Sequence, residues 1–294
     1  MKAFVIAETE AAARELCAGA RGMADAVVLC VAGAPAVAGV ADKCIHIDVP
    51  AGNIADDAYL SVKKAFDAEA ADCVLVEAAL RPLSLAGRLA AALGTAVIAG
   101  VNTIEGAQGS GMYFGGAGIR TAKANGTPIF SVGAGVFDGS AATGTDAVEE
   151  VAFEAPAGAV VKKGEEALPK SDVNLAAADV VVACGRGFAE QGDLQLARDL
   201  AAKVGGECGC TRPLAEGVDW FPKEAYIGVS GAIVSPKTYI AVGVSGQVQH
   251  MVGCNGSGTV IAINKDKNAP IFKQCDYGLV ADLKTALPAL TAAL

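Results

Sequence analysis

Short runs of apolar residues alternate with amphipathic helical patterns along most of this chain. Residues 26–31 read Ala-Val-Val-Leu-Cys-Val and residues 180–184 read Val-Val-Val-Ala-Cys, with no polar side chain inside either run. Half-buried antiparallel strands alternate polar and apolar residues, whereas strands covered by helices on both faces are apolar throughout. The sequence therefore predicts an α/β fold built on mainly parallel sheets flanked by helices.

The length of the chain and a polar stretch near its middle predict two domains. A chain of 294 residues can hold two hydrophobic cores of ordinary size. Residues 161–173 contain three lysines, two glutamates and a proline, a composition typical of a linker. We predict an N-terminal α/β domain over residues 1–172 and a C-terminal one over residues 173–294.

Within these domains the periodicity predicts individual elements. The Asn125-Gly126 pair favours a tight hairpin turn. The predicted strands are 3–7, 26–31, 44–49, 72–77, 96–99, 112–119, 128–132, 180–184, 207–210, 226–229, 239–243 and 259–263, and the predicted helices are 10–21, 56–70, 84–93, 193–204 and 247–252.

Charge and cysteine usage narrow the class of protein. A net charge of −9 and a pI near 4.8 argue against a nucleic-acid or anionic-membrane partner, since such binding depends on Lys and Arg contacts. The opening apolar run reaches only to Ala7, which is too short for a signal-peptide core. Nine cysteines without a C-x-x-C pair are typical of free thiols in a reducing compartment. We expect a cytoplasmic protein.

Residues 238–264 carry no formally charged side chain. A membrane span is not expected there, because its glycines and amide side chains would be costly in hydrocarbon. We expect the segment to be buried inside the C-terminal domain. Its Gln247, Gln249, His250 and Asn255 would then need hydrogen-bond partners.

Two glycine-containing turns follow predicted strands of the C-terminal domain. Residues 184–187 read Cys-Gly-Arg-Gly and residues 243–246 read Gly-Val-Ser-Gly. At the carboxyl ends of parallel strands, such turns are either tight structural turns or loops whose backbone amides face a phosphate. In the first turn Arg186 is the residue that would favour a phosphate-binding loop over a structural turn, since an arginine can pair with pyrophosphate.

Other chemistry is not indicated. The chain has two histidines, His46 and His250, too few for a convincing metal centre, so none is predicted. His250 is either a core histidine with its own partners or a residue of the same crevice. No G-x-S-x-G lies between a strand and a helix, so no catalytic triad is predicted.

Several ordered motifs resemble one family, the α subunits of electron transfer flavoproteins, also called FixB proteins. In the second half these are GRGFAEQGD, CTRPLAEG, AYIGVSGAIVSPKTYIAVGVSGQVQH, VIAINKDKNAPIF and CDYGLVADL. In the first half MKAFVIAE and GRLAAALGTAVIAGV are similar to the family more loosely. The resemblance covers essentially the whole chain.

The resemblance implies a fold, a cofactor and partners. The N-terminal domain would be Rossmann-like and similar to nucleotide hydrolases, and the C-terminal domain would bind FAD. A β subunit would complete a heterodimer, and electrons would come from a flavin-dependent dehydrogenase of the acyl-CoA type, as in fatty acid β-oxidation. The chain would carry electrons without an organic substrate, and hence without catalytic residues, of its own.

The resemblance also implies a set of residues around FAD. Arg212 would lie over the flavin, Ser230 would approach N5, and His250 would approach the N1/C2-carbonyl edge. A cation or a donor at that edge favours the negatively charged reduced ring. Carried over position by position, the FAD-contacting residues are Arg186, Thr211, Arg212, Ile227, Gly228, Val229, Ser230, Ser245, Gly246, Gln247, Val248, Gln249, His250, Asn264, Asp282 and Leu283.

One segment departs from the family pattern. Where the family usually has G-Q-T-G-K, residues 228–232 read Gly-Val-Ser-Gly-Ala. Ser230 keeps a hydroxyl, whereas Val229 replaces an amide and Ala232 replaces a positive charge. We expect a differently tuned flavin potential and dehydrogenase partner, with FAD binding retained.

Two alternative functions remain open at this point. A nicotinamide- or thiamine-dependent oxidoreductase subunit would use a related nucleotide domain, although a complete G-x-G-x-x-G is absent. A non-catalytic nucleotide-binding assembly module would bind AMP or ATP in place of FAD.

Overall fold

A computed structural model describes residues 1–145, 147–166 and 173–294. These residues form two compact units. Unit 1 comprises Met1–Tyr113 and the described residues of Ile119–Glu166, and unit 2 comprises Phe114–Gly118 and the chain from 173 to 294. The proposed domain boundary, between 172 and 173, follows residues 167–172, which lie outside the described residues.

Unit 1 alternates strands with helices, as its sequence predicts. A 3₁₀ turn, Ala55–Ala58, precedes its second helix. The strands are β1 (Lys2–Ile6), β2 (Ala26–Ala32), β3 (Lys43–Ile47), β4 (Cys73–Glu77), β5 (Val97–Val101), β6 (Thr103–Glu105), β7 (Gln108–Tyr113), β8 (Gly118–Lys123), β9 (Ile129–Val132) and β10 (Val148–Glu150), and the helices are α1 (Glu10–Arg21), α2 (Tyr59–Glu69) and α3 (Leu80–Leu93).

The described residues of unit 1 form a parallel sheet of seven strands in the order β10-β3-β2-β1-β4-β9-β5. Alternate residues of each central strand enter opposite cores. Val27, Leu29 and Val31 of β2 pack on the side covered by α1, whereas Val28 and Cys30 pack on the side covered by α2 and α3. Burial of both faces explains why the strand sequences are continuously apolar.

The glycine-rich part of unit 1 differs from the sequence prediction. Strands β6, β7 and β8 form a separate three-stranded sheet, in which β6 and β7 are antiparallel. The predicted strand 112–119 is wrong, because residues 114–117 are the turn that joins β7 to β8. The predicted hairpin at Asn125-Gly126 is also wrong, since this pair joins β8 to β9 of the other sheet. A turn-forming pair fixes the bend of the chain, not the sheet in which the next strand pairs.

Unit 2 repeats the parallel arrangement with five strands among its described residues. In the sheet these strands lie in the order β12-β11-β13-β14-β15, and every neighbouring pair is parallel. The strands are β11 (Val180–Cys184), β12 (Glu207–Cys210), β13 (Thr238–Val242), β14 (Thr259–Asn264) and β15 (Tyr277–Val280), and the helices are α4 (Leu194–Lys203), α5 (Arg212–Glu216), α6 (Val248–Met251) and α7 (Leu283–Ala293).

The two faces of the unit 2 sheet are covered differently. Helices α4 and α7 cover one face, where Leu194, Leu200 and Leu287 are buried. On the other face the chain is irregular, and Val234, Met251 and Ile271 fill the core. The predicted strand 226–229 is wrong: only isolated bridges, Cys210 to Tyr226 and Ile227 to Ala232, pair there. Tyr226 packs in the core of the first face and Ile227 in that of the second. Strand β15 and helices α5 and α7 had not been predicted.

No helix among the described residues is long and apolar enough to cross a membrane. The described residues also contain no group of three or more His, Cys, Asp or Glu side chains that could hold a metal ion.

Candidate functional site

A cleft of about 600 Å³ lies at the carboxyl ends of the strands of unit 2. Strand β12 pairs with one edge of β11, and the chain then returns so that β13 pairs with the other edge of β11. Parallel sheets bind ligands at such a reversal of strand order, because the loops leaving the two strands part there. Residues that follow β11, β12 and β13 line the cleft, among them Arg186, Thr211 and Ser245.

The corresponding reversal in unit 1 lies between β1 and β4, beside a smaller cleft of about 180 Å³ whose lining includes Thr9 and Glu77. One carboxylate oxygen of Glu77 accepts hydrogen bonds from the backbone amides of Glu8 (2.7 Å) and Thr9 (3.1 Å), at the start of α1. The other oxygen accepts from the Thr9 hydroxyl at 2.9 Å. Glu77 therefore takes the place that an anionic ligand would have at that helix start.

Close contact between two backbone turns explains several glycines of the cleft. The amide of Gly185 donates to Val242 O (2.9 Å), and that of Gly187 donates to Gly243 O (3.0 Å). A Cβ on Gly185 would lie 2.3 Å from Gly243 O, and one on Gly187 would lie 2.5 Å from Gly243 Cα. The glycines of this turn are thus structural, and their amides do not face a phosphate. Arg186, between them, is exposed at the cleft.

The second turn has a run of free amides, whereas both glycine amides of the first turn are bonded. Gly243 and Gly246 adopt positive φ angles of 62° and 83°, which lets the chain bend sharply before α6. Across the described structure, the backbone amides of residues 244–249 donate no hydrogen bond to the protein. A row of unpaired amides at the start of a helix attracts an anion.

Thr211 and Arg212 follow β12. Thr211 Oγ1 is buried and has no hydrogen-bond partner among the described residues. Arg212 begins α5 and lines the cleft, with its Nε donating to Glu216 Oε2 at 2.6 Å. This ion pair raises the pKa of Arg212. The cleft therefore contains an arginine held by its own helix and a buried hydroxyl without a partner, which costs free energy unless a ligand binds to it.

The loop 226–232 closes on itself beside the cleft. Ala232 N donates to Tyr226 O (2.7 Å), Gly228 N donates to Ala232 O (3.1 Å), and Val229 N donates to Gln249 O (2.7 Å). The departures at Val229 and Ala232 leave these bonds intact, because all of them are backbone bonds. The Val229 side chain is 43% exposed and lines the cleft, whereas that of Ala232 packs against the core.

His250 is buried, with both ring nitrogens engaged. Nδ1 lies 2.9 Å from Ile227 O and Nε2 lies 2.7 Å from Tyr239 Oη. A carbonyl oxygen can only accept, so Nδ1 carries the proton and Nε2 accepts from the Tyr239 hydroxyl. Burial lowers the pKa of His250, opposed by the bond to Ile227 O. The neutral ring lines the cleft with both nitrogens bonded within the protein, as expected for a core histidine with its own partners, whereas the resemblance implies a donor or a cation there.

Expectations for the uncharged segment 238–264 are only partly met. His250 is buried and paired, but Gln247, Gln249 and Asn255 are exposed. The two glutamines belong to the short helix region that faces the cleft, where polar side chains meet solvent or a ligand.

A smaller cleft of about 110 Å³ shares Gly243 with the first one. Asn264, at the end of β14, lines it, and its Nδ2 donates to Val244 O at 2.8 Å. Asp282 lines it as the N-cap of α7, accepting from Lys284 N at 2.8 Å. The side chain of Leu283 is 9% exposed there. Asn264 thus ties the end of β14 to the turn after β13.

The structure brings most of the expected residues together. Gly228, Gly246 and Val248 line neither cleft, although they belong to the loops that form the larger one. The larger cleft is lined by Arg186, Thr211, Arg212, Ile227, Val229, Ser230, Ser245, Gln247, Gln249 and His250, and the smaller one by Asn264, Asp282 and Leu283.

Sequence reasoning missed several lining residues. Tyr226 and Pro213 line the larger cleft, and Lys265 and Lys284 line the smaller one. For the two lysines a signal existed, since each lies next to an expected residue in the sequence. Pro213 and Tyr226 also lie next to expected residues, Arg212 and Ile227, so the same signal existed for them.

Comparisons with known proteins agree with these features. The model of the electron transfer flavoprotein domain matches residues 5–157, and that of the electron transfer flavoprotein FAD-binding domain matches residues 174–255. The FixB proteins of Escherichia coli strains 55989 and UMN026 are each 40% identical over 228 residues, covering 75% of this chain and 73% of theirs. A solved structure described as a thiamin diphosphate-dependent enzyme of Mycobacterium smegmatis covers 57% of this chain and 34% of its own at 14% identity, with a TM-score of 0.25, too low to support an argument.

Proposed function

Because the chain belongs to the electron transfer flavoprotein α-subunit family, the FixB family, and has its FAD-binding domain, we propose that the cleft of unit 2 holds the flavin and that a β subunit completes the site. The observation that carries this proposal is the cleft at the β11/β13 reversal, with its unpaired amides and two arginines. FAD, when bound, accepts electrons and passes them on.

The residues present fit FAD in size and in polarity. A volume of about 600 Å³ is within the range of small-molecule sites, about 300–1,000 Å³. The amides of residues 244–249 and the guanidinium of Arg186 offer the donors that a pyrophosphate needs. The unpaired hydroxyl of Thr211 offers one more bond to a polar ligand.

Three side chains would tune the flavin in different ways. Arg212, through its positive charge, favours the negatively charged reduced ring, and Glu216 partly offsets that charge. Ser230 offers a hydroxyl toward N5. His250 acts as a neutral support for the ring edge, because both of its nitrogens bond to the protein.

The remaining parts of the proposal concern partners and compartment. The chain receives electrons from a flavin-dependent dehydrogenase, such as an acyl-CoA dehydrogenase, and passes them to a downstream acceptor without an organic substrate of its own. Its acidic composition argues against a nucleic-acid partner. Its cysteine usage supports the cytoplasm.

Co-expression with an electron transfer flavoprotein β subunit tests the proposal. After gel filtration the complex should show a flavin absorption spectrum at one FAD per heterodimer, and the chain alone should lose most of it. Arg186→Ala should weaken FAD binding roughly tenfold or more, the worth of a charge-assisted hydrogen bond.

The matched control is Lys237→Ala. Lys237 is also an exposed cation of unit 2, but it pairs with Asp179 at the opposite ends of the strands. Its removal should leave FAD affinity unchanged. Equal losses for both variants, or AMP or ATP bound instead of FAD, would contradict the proposed site.

A further inference from the structure

Tyr226 lies across its own loop and contacts it on both sides. A Cβ on Gly231 would lie 2.7 Å from Cδ1 and 2.9 Å from Cε1 of its ring, and a Cβ on Gly228 would lie 3.0 Å from its Cε2 and hydroxyl. Glycine at position 231 leaves the space that the aromatic ring occupies, and glycine at position 228 lets the ring edge lie close to the backbone. The ring is 6% exposed, so its position is fixed by packing.

Within the described part of the chain, the phenol hydroxyl of Tyr226 has one hydrogen-bond partner, the hydroxyl of Ser230. Tyr226 Oη and Ser230 Oγ are 3.0 Å apart, and either can donate. Ser230 itself is exposed at the cleft. A serine hydroxyl otherwise rotates freely, so this bond decides whether Ser230 presents a proton or a lone pair to the cleft.

We propose that Tyr226 is a positioning residue for the flavin, acting through Ser230. The inference rests on the proposed placement of Ser230 near the flavin ring. When Tyr226 donates, Ser230 is left to donate into the cleft, as an unprotonated ring nitrogen requires. When Ser230 donates to Tyr226, its lone pairs can accept from a protonated ring nitrogen. Two hydroxyls in series thus satisfy either state of the ring without moving a heavy atom.

The arrangement also gives the departures in this loop a context. Val229 supplies no polar side chain and Ala232 no charge beside Ser230. The hydroxyl of Tyr226 is then the hydrogen-bonding group on which the orientation of Ser230 depends.

A double-mutant cycle on the FAD-loaded heterodimer tests the inference. The variants are Tyr226→Phe, Ser230→Ala and the pair, and the readout is the reduction potential of the bound FAD, with FAD affinity as a second readout. Tyr226→Phe keeps the ring packed on the two glycines. It should shift the potential in the same direction as Ser230→Ala and by no more, and it should weaken FAD binding roughly tenfold at most. In the Ser230→Ala background it should cause no further shift.

The control is Tyr277→Phe, which removes the hydroxyl of a tyrosine that is 67% exposed on β15, and should leave the potential unchanged. An unchanged potential in Tyr226→Phe, or shifts that add in the double variant, would overturn the inference while leaving FAD binding established. Loss of FAD together with a lower unfolding temperature would make Tyr226 a packing residue and also overturn it. A wild-type heterodimer without FAD would overturn the proposed site as well.

Discussion

The chemistry of individual side chains differs from what their identity suggests. A histidine and an arginine beside a flavin look like two donors aimed at one ring. Arg212 is exposed and keeps its charge, whereas His250 is buried, neutral and fully bonded within the protein. The resemblance implied that both would line the cleft, whereas the sequence itself left open whether His250 is a core histidine. Its state could not be predicted, because it depends on Tyr239 and on a carbonyl 23 residues away.

Burial of His250 makes the stability of the protein depend on pH. Its folded-state pKa lies below the unfolded value of about 6.5, so the unfolded chain takes up a proton first as the pH falls. The stabilisation from the neutral ring is therefore complete above about pH 6.5 and is lost as the pH falls toward the folded pKa. Between pH 7.5 and 5.5 the free energy of unfolding, measured with urea, should fall more steeply for the wild type than for His250→Asn.

The control for this experiment is Tyr239→Phe, which retains the histidine. It should lose about 1–3 kcal/mol at every pH, since Nε2 is left without its donor. The steeper pH slope should remain. Parallel slopes for wild type and His250→Asn would show that another group sets the acid sensitivity.

At the scale of elements, prediction from the sequence succeeded where local pattern and burial agree. The bounds of α1, β11 and β12 were predicted as observed, because a continuous apolar run or an amphipathic period determines them locally. The segment 226–229 is also mainly apolar, but it forms part of a closed loop and not a strand. Its neighbouring glycines accommodate the Tyr226 ring, a tertiary contact that no local pattern reveals.

A glycine-to-alanine substitution, which adds one methyl group, tests whether the two glycine turns must lie in close contact. Gly185→Ala would place a Cβ 2.3 Å from Gly243 O, a backbone atom that cannot move alone. We expect a loss of about 1–3 kcal/mol in the free energy of unfolding, as for other overpacked sites. FAD affinity should fall too, because Arg186 follows Gly185 directly.

Gly192→Ala is the matched control. It is an exposed glycine of the same unit with nothing within 4 Å of its Cβ position. Its effect should stay within about 0.5 kcal/mol, as for other surface substitutions. Equal stability of the two variants would mean that the turns can separate without cost.

At the scale of the whole molecule, each unit has its own parallel sheet and its own pair of cores. Both sheets reverse strand order where ligands bind in such folds, so topology alone would predict two sites. Side chains distinguish them: at the reversal of unit 1 Glu77 pairs with the amides at the start of α1 beside a cleft of about 180 Å³, whereas the reversal of unit 2 has unpaired amides and a cleft of about 600 Å³. The overall architecture could be predicted from apolar periodicity, but this difference could not, since it depends on long-range pairing of one glutamate.

Scanning calorimetry of the chain with increasing FAD should therefore resolve two transitions, only one of which depends on FAD. A ligand at 100 times its Kd stabilises the unit that binds it by about 2.7 kcal/mol, so the transition of unit 2 should rise in temperature while that of unit 1 stays. Two core variants assign the transitions. Leu194→Ala should lower the temperature of the FAD-dependent transition and Leu29→Ala that of the other, because each removes about 2–5 kcal/mol from the free energy of unfolding of its unit. A single transition whose temperature rises with FAD would show that the two units do not unfold independently. If FAD raised the temperature of the Leu29-sensitive transition, the flavin would bind to unit 1, which would contradict the proposed site.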